Sequence, residues 1–429
     1  MSSGTARPAR GAVREQVDAV LDADFMPAAG RIGTLFYASG RGHGVYSFAY
    51  DRQWLERPDA FELDPDLQLH GAESYPTNEA GAFRIFIDSA PDRWGRLLLE
   101  RREALEARAQ RRPVRALTDW DFLLGVHDAC RMGALRFRRD SAAPFLDDNR
   151  ALAAPPITSL RELEAAALAL EAPDAPEQAR FRHWLTALLA PGSSLGGARP
   201  KANFTDKAGA LWIAKFPSRE DRRDSGAWEK LVHALALKAG VVVPEARLLK
   251  LGGRHRTFAC RRFDRTEAGR RRFFVSSLTL LDRPDGPGGS YLELAEFLSA
   301  RGSTRNRACD LRQLWTRVVF NILVSNTDDH LRNHGFIFEP DGWRLAPAYD
   351  VNSSIEKRDH ALAIDEKDTT SDLELALATA AYYGLKPAEA SRLAKRVAQT
   401  VRTWPAEARA LGLPRTEVEQ MSGAFKAET

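Results

Sequence analysis

The sequence has 429 residues, of which 44% are hydrophobic and 28% are charged, and this composition indicates a globular protein of two or three domains. Its 62 basic residues exceed its 58 acidic residues by only four, which argues against a protein that coats a polyanion. Three widely spaced cysteines without a CxxC pair, no apolar leader and no apolar run near 18 residues predict a cytoplasmic protein without a disulfide framework, a zinc cluster or a membrane span.

The N-terminal third of the sequence predicts a small β-containing domain over residues 29–140, preceded by a flexible tail over residues 1–28. From Ile32 onwards, apolar and polar residues nearly alternate on both sides of a glycine-rich turn at residues 41–44, which is typical of a β-hairpin. One amphipathic helix is predicted from Phe83 to Ala107, with its start at Ser89 or Asp92. A second helix follows from Asp119 to Leu124, and a short strand over residues 132–137.

The composition changes after this domain. Residues 141–159 have the alanine, proline and aspartate content of a linker. We expect two further domains over residues 160–265 and 266–429, the second mostly helical. Its helices are interrupted by one predicted hairpin, HGFIF and WRLA around the turn Pro340-Asp341-Gly342.

The densest polar cluster in an apolar setting is the segment NILVSNTDDHLRNHGFIF, residues 321–338. Asp328 and Asn333 stand in the order D-x-x-x-x-N, the spacing of a protein-kinase catalytic loop, where the Asp accepts a hydroxyl proton and the Asn holds a metal ion. The predicted hairpin then leads to Asp350, where kinases place a second magnesium-binding Asp. Capping and turn formation explain a single such pair, but loop, hairpin and Asp350 together favour a metal–phosphate site. His330 is an orienting or packing histidine on this reasoning.

A second cluster comprises a glycine-rich stretch at residues 193–201 and the residues that follow it. Adjacent glycines allow backbone N–H groups to cradle an anion, although a plain turn has the same composition. Lys215 lies within the apolar strand LWIAKF, where it either needs a partner or points outward from an edge strand. Glu229, in the next helix, is a candidate partner or an ordinary acid at a helix N-terminus.

Taken in chain order, these features follow the order of the phosphoryl-transfer parts of a kinase. The sequence also resembles the HipA toxin kinases of bacterial type II toxin–antitoxin modules. The resemblance extends from about residue 30 to about residue 360, and it is carried by SAPDRWGRLLLERRE from Ser89, FLLGVHDACRMGALRF from Phe122, SSLGGARPKA from Ser193, FACRRFDR from Phe258, NTDDHLRNHGF from Asn326 and LAPAYD from Leu345.

The resemblance implies an α+β, protein-kinase-like fold of HipA type with two lobes. Residues 160–265 would form the nucleotide-binding lobe, and residues 266–429 the mostly helical catalytic lobe. By the same resemblance, Asp328 is the catalytic base, Lys215 pairs with phosphate, Asn333 and Asp350 bind Mg²⁺, and Ser194 (or Ser193) is autophosphorylated, which switches the kinase off. The residues implied to contact ATP are Ser194, Leu195, Gly196, Gly197, Ala198, Arg199, Lys201, Lys215, Arg262, Phe263 and His330.

The resemblance further implies a serine/threonine protein kinase that uses ATP and Mg²⁺. Its expected partners are a protein substrate, for which an aminoacyl-tRNA synthetase is plausible by analogy, and a HipB-like antitoxin. Operator DNA would be bound only through the antitoxin, and no membrane is expected. The alternatives are a small-molecule kinase and a catalytically inactive scaffold.

The basic residues are distributed unevenly. Eleven are lysines against 51 arginines, and the first lysine is Lys201. Codon usage in a GC-rich genome explains this bias. The bias nevertheless marks Lys201 and Lys215 as candidate positions where an arginine could not replace the lysine. The arginine runs Arg101-Arg102, Arg111-Arg112 and Arg270-Arg271-Arg272 are predicted to be solvated faces.

Overall fold

A computed structural model describes residues 14–39, 44–78, 81–148, 154–172, 175, 178–189, 197, 199–286 and 288–426. The chain divides into two compact units. The first unit comprises Met1–Ser159, Ala172–Leu211 and Asp264–Val275, and the second comprises Leu160–Glu171, Trp212–Phe263 and Ser276–Thr429. The units therefore do not follow the predicted domains in chain order, because residues 172–211 and 264–275 pack with the N-terminal segment.

Helices and strands occur in separate runs along the chain, as predicted for an α+β protein. The strands are β1 Arg14–Leu21, β2 Gly30–Ala38, β3 Val45–Tyr50, β4 Leu135–Arg138, β5 Lys201–Thr205, β6 Leu211–Lys215, β7 Ala246–Leu249, β8 Thr257–Arg261, β9 Phe274–Ser276, β10 Gly335–Glu339 and β11 Gly342–Leu345. The helices are α1 Arg52–Leu55, α2 Arg84–Asp88, α3 Arg93–Ala109, α4 Asp119–Leu124, α5 Leu160–Leu170, α6 Phe181–Leu189, α7 Ser225–Ala239, α8 Ser277–Leu280, α9 Tyr291–Arg301, α10 Arg307–Leu323, α11 Leu373–Ala378, α12 Pro387–Val401, α13 Trp404–Ala410 and α14 Arg415–Met421. None of the helices in this described part of the chain is long and apolar enough to cross a membrane.

The first unit contains an antiparallel sheet in the order β3-β2-β1-β4. The predicted hairpin is confirmed as β2 and β3, paired from Gly33 opposite Tyr50 to Ala38 opposite Val45, and most of its tip lies outside the described residues. The tail predicted over residues 1–28 is wrong for Arg14–Leu21, which form the inner strand β1. The last five residues of β1 are buried, so that this strand contributes to the core instead of fraying.

The helix predicted from Phe83 to Ala107 is in fact two helices, α2 and α3. The break falls at Ser89–Asp92, where Pro91 removes a backbone donor and disfavours the helical conformation of the residue before it. Asp92 then caps α3, because its side chain accepts a hydrogen bond from the Gly95 N–H at 2.8 Å. The predicted start at Asp92 is thus confirmed.

Buried arginines hold the first unit together. Arg271 is buried, donating to the backbone oxygen of Asp128 and forming an ion pair with its carboxylate at 3.3 Å. The expectation that residues 270–272 are a solvated face is therefore wrong for Arg271. Arg131 is also buried and donates to the backbone oxygens of residues 89, 123 and 126, so burial of each guanidinium is offset by hydrogen bonds.

The second unit contains the strand order β6-β8-β7, again antiparallel, with helix α7 packed against β7 and β8. Helix α7 begins after Asp224, which caps it, and ends at Gly240, whose φ of 88° is readily adopted only by glycine. The buried carboxylate of Glu164, on α5, accepts hydrogen bonds from the backbone N–H groups of residues 252 and 253, in the turn between β7 and β8.

The remainder of this unit is mostly helical. Helix α10 is largely buried, with a continuous run of buried residues from Leu314 to Leu323. The hairpin predicted around Asp341 is confirmed as β10 and β11, paired from Phe336 opposite Leu345 to Glu339 opposite Gly342. The polar segment at residues 321–338 therefore runs from the end of α10, through a loop, into the first strand of this hairpin.

Candidate active site

The loop after α10 carries Asp328 and Asn333. Asp328 has a side chain that is 73% exposed. The Asn333 side-chain amide donates to the backbone oxygen of Asp328 at 3.3 Å, and its N–H donates to the oxygen of His330 at 2.8 Å, closing a short turn. The loop therefore presents an accessible carboxylate at Asp328, five residues before an amide that the loop backbone holds in place.

Lys215 is held between two carboxylates from distant parts of the sequence. Its ammonium lies 2.6 Å from the Glu229 Oε1 atom and 2.6 Å from the Asp350 Oδ1 atom. The side chain of Lys215 is only 12% exposed, so the alternative of a lysine pointing outward from an edge strand is wrong. Glu229 is the fifth residue of α7, not a first-turn acid, and its carboxylate faces Lys215.

The two carboxylates next to Lys215 favour the charged form of its ammonium. Burial lowers the pKa of Lys215, but the carboxylates of Asp350 and Glu229 raise it by more, so that the pKa lies above its ordinary value. The neighbouring thiol of Cys260, on β8, is neutral, because burial raises its pKa to about 12. Lys215 is thus a permanent cation beside two acidic side chains.

Asp350 owes its position to the hairpin and to an unusual backbone conformation. The chain leaves β11 at Leu345 and reaches Asp350 with a φ of 55°, a left-handed conformation that Asp adopts more readily than most residues. The Asn352 side-chain amide donates to the Asp350 Oδ1 atom at 3.1 Å. Asp350 therefore meets Lys215 although 135 residues separate them in the sequence.

Two of the residues implied to contact ATP, Arg262 and Phe263, directly follow β8. Arg262 is buried. The ring of Phe263 stacks on that of Tyr349, with centroids 5.4 Å apart, so this end of the strand is joined to the residue before Asp350. His330 is half-buried, and its backbone oxygen serves the turn that ends at Asn333.

Lys201 belongs to the first unit and is engaged there. Its ammonium lies 2.5 Å from the Asp92 carboxylate and 3.1 Å from the backbone oxygen of Gly197, and its side chain is 3% exposed. The Trp94 indole donates to the Lys201 backbone oxygen at 3.0 Å. Arg199 is half-buried. The other residues of the glycine-rich segment, Ser193, Ser194, Leu195, Gly196 and Ala198, lie outside the described residues.

The donor set of the second unit fits a magnesium–nucleotide site better than a protein-only metal cage. Asn333 and Asp350 supply hard oxygen atoms, and Mg²⁺ is usually held by one or two carboxylates together with substrate phosphates and water. Within the ranges that the structure describes, no group of three or more His, Cys, Asp or Glu side chains is placed to hold a metal ion.

Sequence reasoning missed two groups at this site. Lys357 forms an exposed ion pair with Asp328 at 2.9 Å, and no pattern around it distinguishes it from a surface lysine. Asp329 lies within the polar segment 321–338, for which only its neighbours have predicted roles, and its side chain is buried. Its position in an apolar segment was the available signal, because buried carboxylates need partners.

Two family models match the chain. The model of the HipA N-terminal domain matches residues 24–138, and that of the HipA-like C-terminal domain matches residues 193–404, so the matches together take in most of the sequence. The chain belongs to the HipA family. The family resemblance recognised in the sequence is thereby confirmed.

A solved structure shows that this HipA-family chain shares its fold. The chain is similar to one in the complex of HipA, HipB and operator DNA from the Shewanella oneidensis MR-1 toxin–antitoxin system. The TM-score is 0.64 at 19% sequence identity, and the match covers 96% of this chain and 95% of the other. At this identity the likeness concerns the fold, and it confirms the predicted HipA-type α+β architecture.

Two curated relatives match parts of the chain. A protein of Sinorhizobium fredii named "Putative kinase Y4dM" is 31% identical over 164 residues, which are 34% of this chain and 38% of the relative. A Haemophilus influenzae protein named "Putative kinase" is 27% identical over 184 residues, which are 38% of this chain and 53% of the relative. The chain thus spans about two fifths to one half of the length of these relatives.

Proposed function

We propose that the chain is an ATP- and Mg²⁺-dependent serine/threonine protein kinase that acts as the toxin of a type II toxin–antitoxin module. The observation that carries the proposal is the Lys215 ammonium, 2.6 Å from both Glu229 and Asp350. A lysine paired with a helix glutamate, next to a metal-binding aspartate, is the arrangement that protein kinases use to hold nucleotide phosphates. The names of the two curated relatives, the family membership and the fold agree with it.

Each residue has a defined task in this reaction. Lys215 supplies positive charge for the phosphates, and its partner Glu229 fixes the direction of the ammonium. Asn333 and Asp350 would hold Mg²⁺, which screens the negative charge of the transferring phosphoryl group. Asp328 accepts the proton of the acceptor hydroxyl, for which its exposed carboxylate is accessible. When the acceptor hydroxyl binds, the Lys357 ammonium either moves away from Asp328 or remains next to the bound acceptor.

The proposal includes regulation and partners. Ser194 (or Ser193) would be autophosphorylated and would inactivate the kinase, and mass spectrometry of S193A and S194A protein incubated with ATP identifies the site. The similar Shewanella chain is in a complex with HipB and operator DNA. We therefore expect this chain to bind a HipB-like antitoxin and to reach DNA only through it. We expect a protein substrate, and an aminoacyl-tRNA synthetase is the first class to test.

Transfer of ³²P from γ-labelled ATP tests the proposal. Wild-type protein should label itself and a protein in a cell lysate, and its expression should inhibit growth. Asp328→Asn and Asp350→Asn should abolish labelling and growth inhibition, whereas Asp59→Asn, an exposed aspartate paired with Arg57 in the first unit, should change neither. Full autophosphorylation by either site variant would refute the assignment. Labelling of metabolites but not of proteins would instead favour a small-molecule kinase.

A further inference from the structure

A buried carboxylate lies directly behind the candidate catalytic loop. The Oδ2 atom of Asp329 accepts three hydrogen bonds, from the Tyr291 hydroxyl at 2.5 Å, the Asn321 amide at 2.9 Å and His334 Nε2 at 2.7 Å. Asp329 and its three partners, here named the Asp329 cluster, are all buried. Each partner comes from a different place in the chain, so that one oxygen atom joins the start of α9, the last turn of α10 and the end of the loop.

The cluster lies next to both candidate functional residues of the loop. Asp329 follows Asp328 directly, and His334 follows Asn333 directly. The bond between Asp329 and His334 therefore closes the loop from Asp328 to Asn333 on its buried side. Since a trans peptide unit is planar and rigid, fixing the Asp329 side chain restricts the peptide that carries Asp328 as well.

A second set of hydrogen bonds extends the cluster towards Asp350. The Asn326 amide donates to the Asn321 Oδ1 atom at 3.2 Å, and the Asn326 Oδ1 atom accepts the Asn352 N–H at 3.4 Å. Asn352 in turn donates to Asp350. The three candidate residues Asp328, Asn333 and Asp350 are thus each one residue or one hydrogen bond away from this network.

We propose that Asp329 is a positioning residue, which holds Asp328 and Asn333 in the arrangement needed for phosphoryl transfer. The inference rests on the proposed function. Apolar side chains in place of the whole cluster would fill the same space at equal or lower cost in stability. A carboxylate that accepts three hydrogen bonds instead fixes the directions of four side chains, and reactions lose rate steeply when catalytic groups shift by about 1 Å.

The charge state of the cluster agrees with this role. Burial raises the pKa of Asp329, but the contacts with His334 and Tyr291 lower it by more, so that the carboxylate is ionised. An ionised acceptor shortens and strengthens the hydrogen bonds that it receives. The neutral amide introduced by Asp329→Asn would keep an oxygen acceptor without the charge, whereas Asp329→Ala would remove the acceptor altogether.

The experiment compares three full-length variants in autophosphorylation, followed as ³²P incorporation from γ-labelled ATP at several ATP concentrations. We expect Asp329→Ala to lower the maximal rate constant at least 100-fold, which corresponds to about 2.7 kcal/mol, with the half-saturating ATP concentration changed less than threefold. Asp329→Asn should lower the maximal rate constant about tenfold. The control is Glu164→Gln, because Glu164 is also buried and its carboxylate also accepts three hydrogen bonds, from the backbone N–H groups of residues 252 and 253 and from the Thr257 hydroxyl. Its rate constant should stay within threefold of wild type.

The outcomes separate the two proposals. A wild-type protein that transfers no phosphate overturns the proposed function, and with it the role of Asp329. If the wild type is active, a rate constant within threefold of wild type in Asp329→Ala overturns the role of Asp329 alone. An equal fall in the rate constant of Glu164→Gln overturns it too, and so does a rise in the half-saturating ATP concentration of Asp329→Ala with an unchanged maximal rate constant. A general loss of rigidity in the protein would produce either result. If Asp329→Ala shows no thermal melting transition, Asp329→Asn carries the test, and a wild-type rate constant there overturns the inference.

Discussion

Replacing Lys215 by Met separates the structural role of this residue from its chemical one. Methionine retains much of the length of the side chain but removes the ammonium that lies 2.6 Å from Glu229 and from Asp350. The two carboxylates then face each other without a cation between them. The Glu229 side chain is only 9% exposed, whereas that of Asp350 is 35% exposed. The free energy of unfolding therefore decreases mainly because the buried Glu229 carboxylate is left without its cation.

The size of the effect follows from burial. Removing one partner of a buried ion pair costs about 3–5 kcal/mol, because the remaining charge is left unpaired. Water reaches Asp350, so we expect a loss at the lower end, about 3 kcal/mol. At roughly 2–4 °C per kcal/mol for a unit of this size, the melting midpoint should fall by about 6–12 °C. Removing a charge that stabilises a transition state costs about 10²–10³-fold in rate.

A double variant distinguishes the two effects. Lys215→Met with Glu229→Gln removes the unpaired buried carboxylate as well, and it should regain about 2 kcal/mol of stability. Its ³²P transfer should nevertheless stay at least 100-fold below wild type. Lys238→Met, at an exposed pair with Glu407, is the control and should cost less than about 1 kcal/mol. Wild-type ³²P transfer by the double variant would refute the chemical role of Lys215. An unchanged melting midpoint in Lys215→Met would refute the contribution of the buried ion pair to stability.

Three further predictions concern single positions. Lys215→Arg should lower ³²P transfer at least tenfold, since the wider guanidinium does not replace a nearly buried ammonium, and a near wild-type rate would show that the lysine carries no functional information. Burial raises the pKa of Asp64 to about 6, so the folded protein binds a proton that the unfolded chain releases near pH 4. Relative to Asp64→Asn, the wild type should therefore gain about 2–3 kcal/mol as the pH falls from 7 to 4, and parallel melting midpoints over that range would contradict this assignment. Arg131→Met leaves three backbone carbonyl groups without their donor. It should destabilise the protein by at least about 3 kcal/mol in thermal melting, and a loss below 1 kcal/mol would show that water replaces the guanidinium.

Local patterns in the sequence predicted much of the secondary structure. The alternation of β2 and β3, the Asp-Gly turn between β10 and β11, and the Asp92 cap of α3 all depend on neighbours within a few residues. Such signals are readable without tertiary contacts. The D-x-x-x-x-N spacing is local in the same way, and the loop from Asp328 to Asn333 lies where it was predicted.

Non-local packing accounts for the errors. Residues 14–21 continue a polar and charged N-terminal segment, and they form strand β1 where β2 and β4 pair with both of its edges. Arg271 belongs to a run of three arginines with no local sign of burial, and its partner Asp128 is 143 residues away. A long-range partner of this kind leaves no trace in the composition around the arginine.

The sequence by itself determined the family, the order of the candidate kinase parts and the identity of the residues on the candidate catalytic loop, because these depend on residue types at short spacings. Only the tertiary structure decided that Lys215 turns inward and that both Glu229 and Asp350 meet it. The bias towards arginine marked Lys215 and Lys201 as unusual, but Lys201 pairs with Asp92 in the first unit. Ion pairs are formed by side chains that the fold brings within a few ångströms, and the separation of those residues along the chain does not limit them.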